Sequence, residues 1–449
     1  MNKRYKVVSL FSGALGLDLG MHNTGRFELV ACVELVPAFC ETIRMNQAAG
    51  RLPRDLSIIE ADLAQLTSKD FMARTAIQPG EIDVLVGGPP CQTFSTAGRR
   101  KGVEDPRGTL LWDYLRFVEA LKPKFFLMEN VRGLLSAALR HRPIAKRPNK
   151  WGAPLEEDEC PGSVIRMFAQ DLQKIKDEPY HMDCFEVNAV NYGAPQLRER
   201  ALFIGNRFGH EVNFPDPTHG QNNGKPDLFA RPSLKPWATL QDAIGDLEEA
   251  GKVIMDFSPR KKSFLSLVPP GSNWRSLPVE VQKESMGKAW YAKGGRSGWW
   301  RRLTMDLPSP TLVTMPNYAG TSLCHPTETR ALSLREYARI QGFPDNWDIC
   351  GGTAEQYAQV GNAVPVRLGE VAGKVLADEL DKARARGWKV QNKALKPFRT
   401  VYIQAHVRTR HWFKNGETLV WSDGNNNAFV KYDRTKTCRK TKSMMEIMK

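Results

Sequence analysis

The sequence lacks several features that would define common classes of protein. No apolar run approaches the roughly 20 residues that a membrane-spanning helix needs. The 8 cysteines include no CxxC pair, and the 8 histidines show neither HxxxH nor HExxH spacing, so neither a disulfide framework nor a metal site is indicated. The basic N-terminus has no cleavage site after its short apolar stretch. We therefore expect a metal-independent, cytoplasmic protein without a membrane segment.

Acidic residues are also scarce relative to basic ones. The chain has 64 Lys and Arg against 49 Asp and Glu, a net charge of +15. Such a surplus favours a polyanionic partner, because each cation placed near a phosphate releases a condensed counterion. The alternative is a basic surface without a dedicated partner.

The first 206 residues alternate short β-type runs with amphipathic stretches, which predicts an α/β fold: a parallel sheet with helices on both faces. The predicted strands are KVVSL (6–10), ELVACV (28–33), SIIE (57–60), IDVLVGG (82–88), FFLMEN (125–130), DCFEVNAV (183–190) and RALFIGN (200–206). With 449 residues the chain is long enough for two or three domains.

The rest of the chain changes character twice. Residues 207–325 are rich in Pro, Gly, Asn and Trp and predict a smaller, loop-rich domain, and the helical patterns at 332–343 and 364–386 predict a return to the first domain over 326–394. Residues 395–449 read as a basic β-rich appendage, since 396–449 hold 12 Lys or Arg against 4 acids. We expect this appendage to contact the polyanionic partner; the alternative is a hairpin that packs on the core and completes it.

Glycines and acids follow the first three predicted strands, where open α/β sheets bind their ligands. Gly13 and Gly16 let the backbone approach a ligand closely, and Glu34 can accept hydrogen bonds from a ribose diol. Asp62 could accept from an adenine amine or could cap a helix. These residues fit NAD enzymes and methyltransferases alike, and a tight turn is the simplest alternative.

The stretch GGPPCQTFS (87–95) discriminates further. Two glycines and two prolines predict a rigid loop that presents Cys91 as a nucleophile, with Gln92 and Ser95 as polar contacts. Glu129 ends the fifth predicted strand, which would bring a carboxyl group near that thiol.

Together with motifs further along the sequence, these elements resemble those of the bacterial DNA cytosine-5 methyltransferases. The ordered motifs are the F-x-G loop, PCQ, ENV, QLRER (196–200), RALSLREYARIQGFP (330–344) and GNAVP (361–365). Leu15 departs from the family, many of whose members have a second glycine there. The basic insertion (140–160) and the residues after 395 lie outside the shared motifs.

The resemblance implies a Rossmann-like methyltransferase sheet, a recognition domain at 207–325 and a sequence-specific DNA (cytosine-5) methyltransferase. Cys91 adds to C6 of a flipped-out cytosine, Glu129 hydrogen-bonds N3 and the amine, and Arg198 and Arg200 hold the base oxygen and a phosphate. The implied S-adenosyl-L-methionine site comprises Phe11, Gly13, Gly16, Glu34, Asp62, Pro90, Leu110, Asn362 and Val364.

We expect the DNA-recognition surface in the basic, aromatic stretch 251–302, with RSGWWRR (296–302) as its centre. The predicted DNA contacts are Gln92, Ser95, Arg296, Trp299, Arg301 and Arg302. The alternative for RSGWWRR is a core strand. Double-stranded DNA is the expected partner of a monomeric enzyme, which need not contact the cognate restriction endonuclease that it protects against.

Three alternative functions are less consistent with the sequence. A zinc cytidine deaminase needs PCxxC and HxE, but position 94 is Phe and HxE does not occur. An RNA cytosine-5 methyltransferase of the same architecture is the main alternative, although the large region between QLRER and RALSLRE favours DNA. An inactive DNA-binding regulator would not need Cys91, Glu129 and QLRER.

Overall fold

The computed structural model describes residues 4–90, 109–220, 234–291, 298–389, 398–403 and 432–433. Within them, nine strands form one sheet in the order β11-β10-β6-β7-β5-β4-β1-β2-β3. Its strands are β1 (Tyr5–Leu10), β2 (Phe27–Glu34), β3 (Ser57–Glu60), β4 (Val84–Gly87), β5 (Phe125–Val131), β6 (His181–Asn188), β7 (Glu199–Asn206), β10 (Arg399–Tyr402) and β11 (Tyr432–Asp433). Two short strands, β8 (His219–Gly220) and β9 (Lys235–Pro236), pair separately.

Helices connect the strands and cover the sheet. They are α1 (Gly16–Asn23), α2 (Pro37–Ala48), α3 (Ser68–Thr75), α4 (Leu110–Leu121), α5 (Ser163–Gln173), α6 (Leu240–Ile244), α7 (Pro259–Leu265), α8 (Val279–Met286), α9 (Leu334–Gln341), α10 (Thr353–Asn362) and α11 (Val366–Ala385). None of the described helices is long and apolar enough to cross a membrane.

The apolar residues of each strand alternate between two cores, as strand geometry requires. Val7 packs into one core and Val8 into the other, so both faces of the sheet are covered. This confirms the predicted α/β fold with helices on both faces, and all seven predicted strands are present. The sheet is mostly rather than wholly parallel, because β7 runs antiparallel to β5 and β6.

Helix α11, from the C-terminal part of the chain, packs directly on α1. A Cβ atom on Gly20 would overlap the backbone of Val366 and Gly369, and one on Gly369 would overlap the carbonyl oxygen of Leu17. Glycine at these positions is therefore what allows the two helices to approach so closely. Residues from 254 to 331 have an apolar core of their own, which includes Phe264, Trp274 and Trp300. The exact domain limits stay predictions.

The C-terminal segment differs from the predicted separate appendage. Strand β10 lies parallel to β6 and extends the main sheet, and Ile403 is buried behind it. Arg399 Nε lies 2.6 Å from Oδ1 of Asp183, which is fully buried in β6. At least this part of the segment therefore packs on the core. The predicted hairpin spans residues 400–421, and its residues after 403 lie outside the described ones.

Candidate active site

The carboxyl ends of β1, β2, β3, β4 and β5 open into one cavity of about 540 Å³. That volume lies within the usual range of ligand sites, ~300–1,000 Å³. Its lining includes every described residue that was predicted for the cofactor or for catalysis. These are Phe11, Gly13, Gly16, Glu34, Asp62, Pro90, Leu110, Glu129, Arg198, Arg200, Asn362 and Val364.

The loop between β1 and α1 forms one wall. Its backbone is left-handed at Phe11, Gly13 and Leu15, with φ of 55°, 54° and 64°. A Cβ atom on Gly16 would overlap the carbonyl oxygen of Val364, so this glycine lets α1 begin against the returning chain. Leu15 occupies a conformation that favours glycine, which is the residue many family members have there.

Glu34 fixes this loop while facing the cavity. Its Oε2 accepts the Gly13 N–H at 2.8 Å, and its Oε1 accepts those of Leu35 and Val36 at 2.9 and 3.0 Å. Oε1 already accepts two hydrogen bonds, whereas Oε2 accepts one and can accept a second from a ribose hydroxyl. Its roles in the loop and in ligand binding are therefore compatible.

Asp62 caps a turn and not a helix. Its Oδ1 accepts the Ala64 N–H at 2.9 Å, two residues further along the chain as in an Asx turn, whereas the residue that caps α3 is Thr67. The residue nevertheless lines the cavity. Contact with an adenine amine stays a prediction.

The backbone that leads into the predicted nucleophile is held from β5. Asn130 donates its side-chain N–H to the Pro89 carbonyl at 2.9 Å. Asn130 was not singled out in the sequence, although it stands in the ENV motif beside Glu129. Cys91, Gln92, Ser95 and Arg296 lie outside the described residues, so their roles stay predictions.

Glu129 and Arg200 form an ion pair at the edge of the cavity. Arg200 Nε lies 2.5 Å from Glu129 Oε1, and the two side chains are 10% and 12% exposed. The register between β5 and β7 sets Glu129 opposite Leu202 and Val131 opposite Arg200, so the arginine reaches diagonally across the strand pair. An acid and a guanidinium are thus placed together where a base could meet both.

Arg198 is more deeply buried than a base-binding residue needs to be. Its guanidinium donates to the carbonyl oxygens of Leu312, Gly361 and Asn362 at 3.1, 2.9 and 3.2 Å, and burial lowers its pKa well below the ordinary value. Arg198 therefore joins QLRER to GNAVP. Direct contact with the base oxygen stays a prediction.

Two glutamines complete this connection, and the sequence reasoning did not single them out. Gln196 Nε2 donates to Gln341 Oε1 at 3.0 Å, and Gln341 Nε2 donates to the Ala363 carbonyl at 3.1 Å. Both side chains are buried. Their positions inside QLRER and ARIQGFP were the available signal.

The sequence reasoning also did not single out a buried acid in α1, beneath the loop between β1 and α1. Asp18 is 8% exposed, and burial raises its pKa to about 6 against an opposing hydrogen bond from Ser9. Ser12 Oγ donates to Ser9 and to the Val33 carbonyl. The signal was a lone Asp within the apolar stretch LGLDLG.

The described part of the predicted recognition segment is largely internal. Arg301 donates to the Ser322 carbonyl at 3.2 Å and Arg302 to the Leu265 carbonyl at 3.0 Å, and both are less than 9% exposed. Burial lowers the pKa of Arg301 to about 10. This placement favours the alternative of a core segment for these residues, and DNA contact by Trp299, Arg301 and Arg302 stays a prediction.

Comparison with known families distinguishes between the functions considered for this protein. The model of the C-5 cytosine-specific DNA methylases matches residues 5–378, which is most of the chain. The chain belongs to this family. The matched range includes the cavity, both glutamines and the part of α11 up to residue 378, so this C-5 methylase has the family's motifs in one continuous match.

Individual relatives agree with this assignment. The methylase is 36% identical to the type II methyltransferase M.Sau96I of Staphylococcus aureus, over 85% of its own length and 77% of the relative's. It is also 36% identical to M.Eco47II of Escherichia coli, over 86% and 82%. A prophage-encoded DNA modification methyltransferase of E. coli, 23% identical, shares its fold with a TM-score of 0.53 over 84% of this chain and 99% of that one.

The methylase is therefore a DNA cytosine-5 methyltransferase, and the DNA reading is supported over the RNA alternative. Its substrate is DNA, and the reaction requires a methyl donor. Family membership does not itself assign the individual residues, the donor or the target sequence.

Proposed function

We propose that the methylase transfers a methyl group from S-adenosyl-L-methionine to C5 of a flipped-out cytosine within a specific double-stranded DNA sequence. The observation that carries the proposal is the Glu129–Arg200 pair, which opens into the same cavity as Glu34 and Asp62. A base-binding acid and the acceptors for a nucleoside are thus within one site.

The residues of the cavity fit this donor. Glu34 can accept from the ribose, Asp62 from the adenine amine, and the open space beside Gly13 leaves room for the remainder of the molecule. When bound, the donor supplies an electrophilic methyl group on sulfur.

Cytosine C5 is too weakly nucleophilic to take this methyl group unaided, and the protein's residues would supply the activation. The Cys91 thiolate forms a bond to C6, while Glu129 delivers a proton to N3 so that the ring accepts the electron pair. C5 becomes an enamine carbon and bonds to the methyl group, while the methyl–sulfur bond breaks and its electron pair stays on the sulfur of the departing thioether. A base then removes the C5 proton, the returning electron pair expels the thiolate from C6, and N3 returns its proton to Glu129.

The target carbon is inaccessible within a duplex, so the nucleotide must leave the base stack at a cost of a few kcal/mol. Arg200, held next to Glu129, would bind the base oxygen and so offset part of this cost. The smaller domain at 207–325 would read the sequence.

We also infer a role in restriction–modification. The relatives are named type II methyltransferases, and such an enzyme protects its site from a cognate endonuclease without contacting it. Action as a monomer in the cytoplasm completes the proposal.

Bisulfite sequencing of DNA from cells that express the chain tests the proposal directly. We expect protected cytosines at one short motif, and none in cells that express Cys91→Ala. Duplexes in which that cytosine is replaced by 5-fluorocytosine should form a denaturation-resistant adduct, because fluorine cannot leave as the C5 proton does. Normal methylation by Cys91→Ala would overturn the mechanism, and unprotected cytosines throughout would overturn the function.

A further inference from the structure

The basic insertion (140–160) is closed at its base by ion pairs. Arg140 Nε lies 2.9 Å from Asp158, and Arg142 Nε lies 2.9 Å from Glu159. Glu159 is only 7% exposed, so its pairing with Arg142 is protected from solvent. The acids of the insertion thus neutralise the arginines at its base and leave the positive charge at its tip.

The tip, residues 146–152, is a tight turn. The N–H groups of Lys150 and Gly152 both donate to the Arg147 carbonyl, at 2.8 and 3.0 Å. A Cβ atom on Gly152 would overlap the carbonyl oxygen of Lys146, so the two arms of the turn touch. Trp151 is held in the left-handed region with φ of 65°. The turn is therefore preorganised, and it fixes the direction of the Trp151 side chain.

This turn exposes an unusual set of side chains. Trp151 is 90% exposed, whereas tryptophan is normally among the more buried residues. Lys146 and Lys150 are also exposed and make no ion pair with any residue that the structure describes. An exposed aromatic ring in the same turn as two cations without an ion pair suits contact with nucleic acid. Phosphates would bind the cations, and a sugar or base would pack on the ring.

The insertion lies at the edge of the sheet where the substrate must arrive. It connects β5 to α5 and so begins at the carboxyl end of β5, where Val131 stands opposite Arg200. Strand β4, which leads into the Cys91 loop, is the neighbour of β5 in the sheet. The insertion and the predicted nucleophile therefore leave adjacent strands at the same edge.

We propose that the tip of the basic insertion is a DNA-contact site outside the recognition domain, in which Lys146 and Lys150 bind phosphates flanking the target and Trp151 packs against the adjoining sugar or base. The inference rests on the proposed function for the choice of DNA. It adds a surface that the shared motifs do not contain.

Salt titrations of DNA binding test this surface with the full-length protein and a duplex that contains the methylated motif. Replacing two phosphate contacts should reduce the slope of log K against log salt by about 1.8, at about 0.9 for each contact. We expect this reduction for Lys146→Ala/Lys150→Ala. The matched control is Lys174→Ala/Lys176→Ala, two exposed lysines that follow α5 at the opposite edge of the sheet, and its slope should equal that of the wild type.

Trp151→Asn provides an independent measurement, because asparagine tolerates the left-handed backbone and preserves the turn. It should bind DNA roughly tenfold more weakly, the usual effect of losing one aromatic stacking contact, without a change of slope. Unchanged binding by Trp151→Asn together with an unchanged slope in the lysine variant would overturn the proposal. An equal reduction of the slope in the control variant would show that the lost phosphate contacts are not specific to the tip.

These results stay readable if the proposed function fails. Phosphate contacts are independent of sequence, so the titrations can be repeated on an arbitrary duplex should bisulfite sequencing reveal no methylated motif. A slope difference there would support the DNA-contact site while the proposed methylation is rejected.

Discussion

Arg200 Nε lies 2.5 Å from Oε1 of Glu129 across two antiparallel strands. Because both side chains are nearly buried, the carboxyl group is oriented before any base enters. In the proposed function, this arrangement would let Arg200 bind the base and orient its proton donor together.

Replacing Glu129 by Gln should lower the single-turnover rate by about 10²–10⁴-fold, the range that proton transfer by a positioned side chain contributes. The amide keeps the shape of the carboxyl group but cannot deliver its proton. Glu119→Gln, an exposed change on α4, is the matched control and should keep the wild-type rate. A full rate in Glu129→Gln would assign proton transfer to another group.

Glu34→Ala should weaken binding of S-adenosyl-L-methionine by about 1–3 kcal/mol, the cost of losing a charged hydrogen-bond partner. It should also lower the melting temperature, because Glu34 accepts the N–H groups of Gly13, Leu35 and Val36. Glu34→Gln retains one acceptor oxygen and should show smaller effects. Calorimetry that finds unchanged affinity in both variants would leave Glu34 with a structural role alone.

Leu15→Gly should be more stable than Leu15→Ala by about 1 kcal/mol, because only glycine avoids the strain of the left-handed backbone at φ 64°. Both variants lose the same buried side chain, so the difference isolates the backbone. Leu19, within α1, is the control. Leu19→Ala should be more stable than Leu19→Gly by about 1 kcal/mol, because alanine is favoured over glycine inside a helix. Urea denaturation measures all four, and the same order at both positions would contradict the strain.

Arg399→Ala should destabilise the fold by about 3 kcal/mol, since it leaves a fully buried carboxylate without its cation. Burial alone would raise the pKa of Asp183, but hydrogen bonds from His181 and Arg399 hold that pKa below its ordinary value. A lowered pKa contributes stability above the unfolded value, about 3.9, and this stability is lost as the pH falls through the folded value.

The difference in free energy of unfolding between wild type and Arg399→Ala should therefore be largest above pH ~4 and shrink below it. Arg399→Lys keeps the charge and should lie between them. Denaturation from pH 3 to 7 gives the three curves. A difference that is constant over this range would show that Arg399 acts through packing.

Truncation separates the two roles considered for the C-terminal segment. A chain that ends at residue 393 loses Arg399 and Ile403 and should be poorly stable, whereas one that ends at residue 403 keeps β10 and should methylate the same sequence. The chain that ends at residue 403 lacks the ten Lys or Arg and four acids of residues 404–449. We therefore expect it to bind DNA more weakly, with a shallower dependence of log K on log salt. A wild-type slope in the folded 403-residue chain would exclude DNA contact by the tail.

The sequence predicted the strands and the cavity because both depend on short-range signals. Alternating apolar residues mark β1 and β2, and the acids or glycines that end them identify the ligand edge. Pairing between distant strands has no such signal. The antiparallel direction of β7 and the insertion of β10 beside β6 follow from long-range packing, which one sequence does not display.

Buried charge was the other source of differences. Arg198, Arg301 and Arg302 were predicted to contact the base, a phosphate or DNA, yet each donates to backbone carbonyls inside the fold. Cations of this kind cannot be told from exposed ones by composition. Motif membership was the better guide, as Gln196 and Gln341 illustrate.

The glycine contact between α1 and α11 also sets the order in which the enzyme can be made. Gly20 and Gly369 are separated by almost the whole catalytic chain, and a ribosome adding roughly 5–20 residues per second needs on the order of 20–70 seconds to cover that distance. During this time α1 has no partner for its closest face, and the loop above it cannot close against Val364. A nascent chain therefore lacks the closed cavity until α11 has emerged, so synthesis and ligand binding are separated in time.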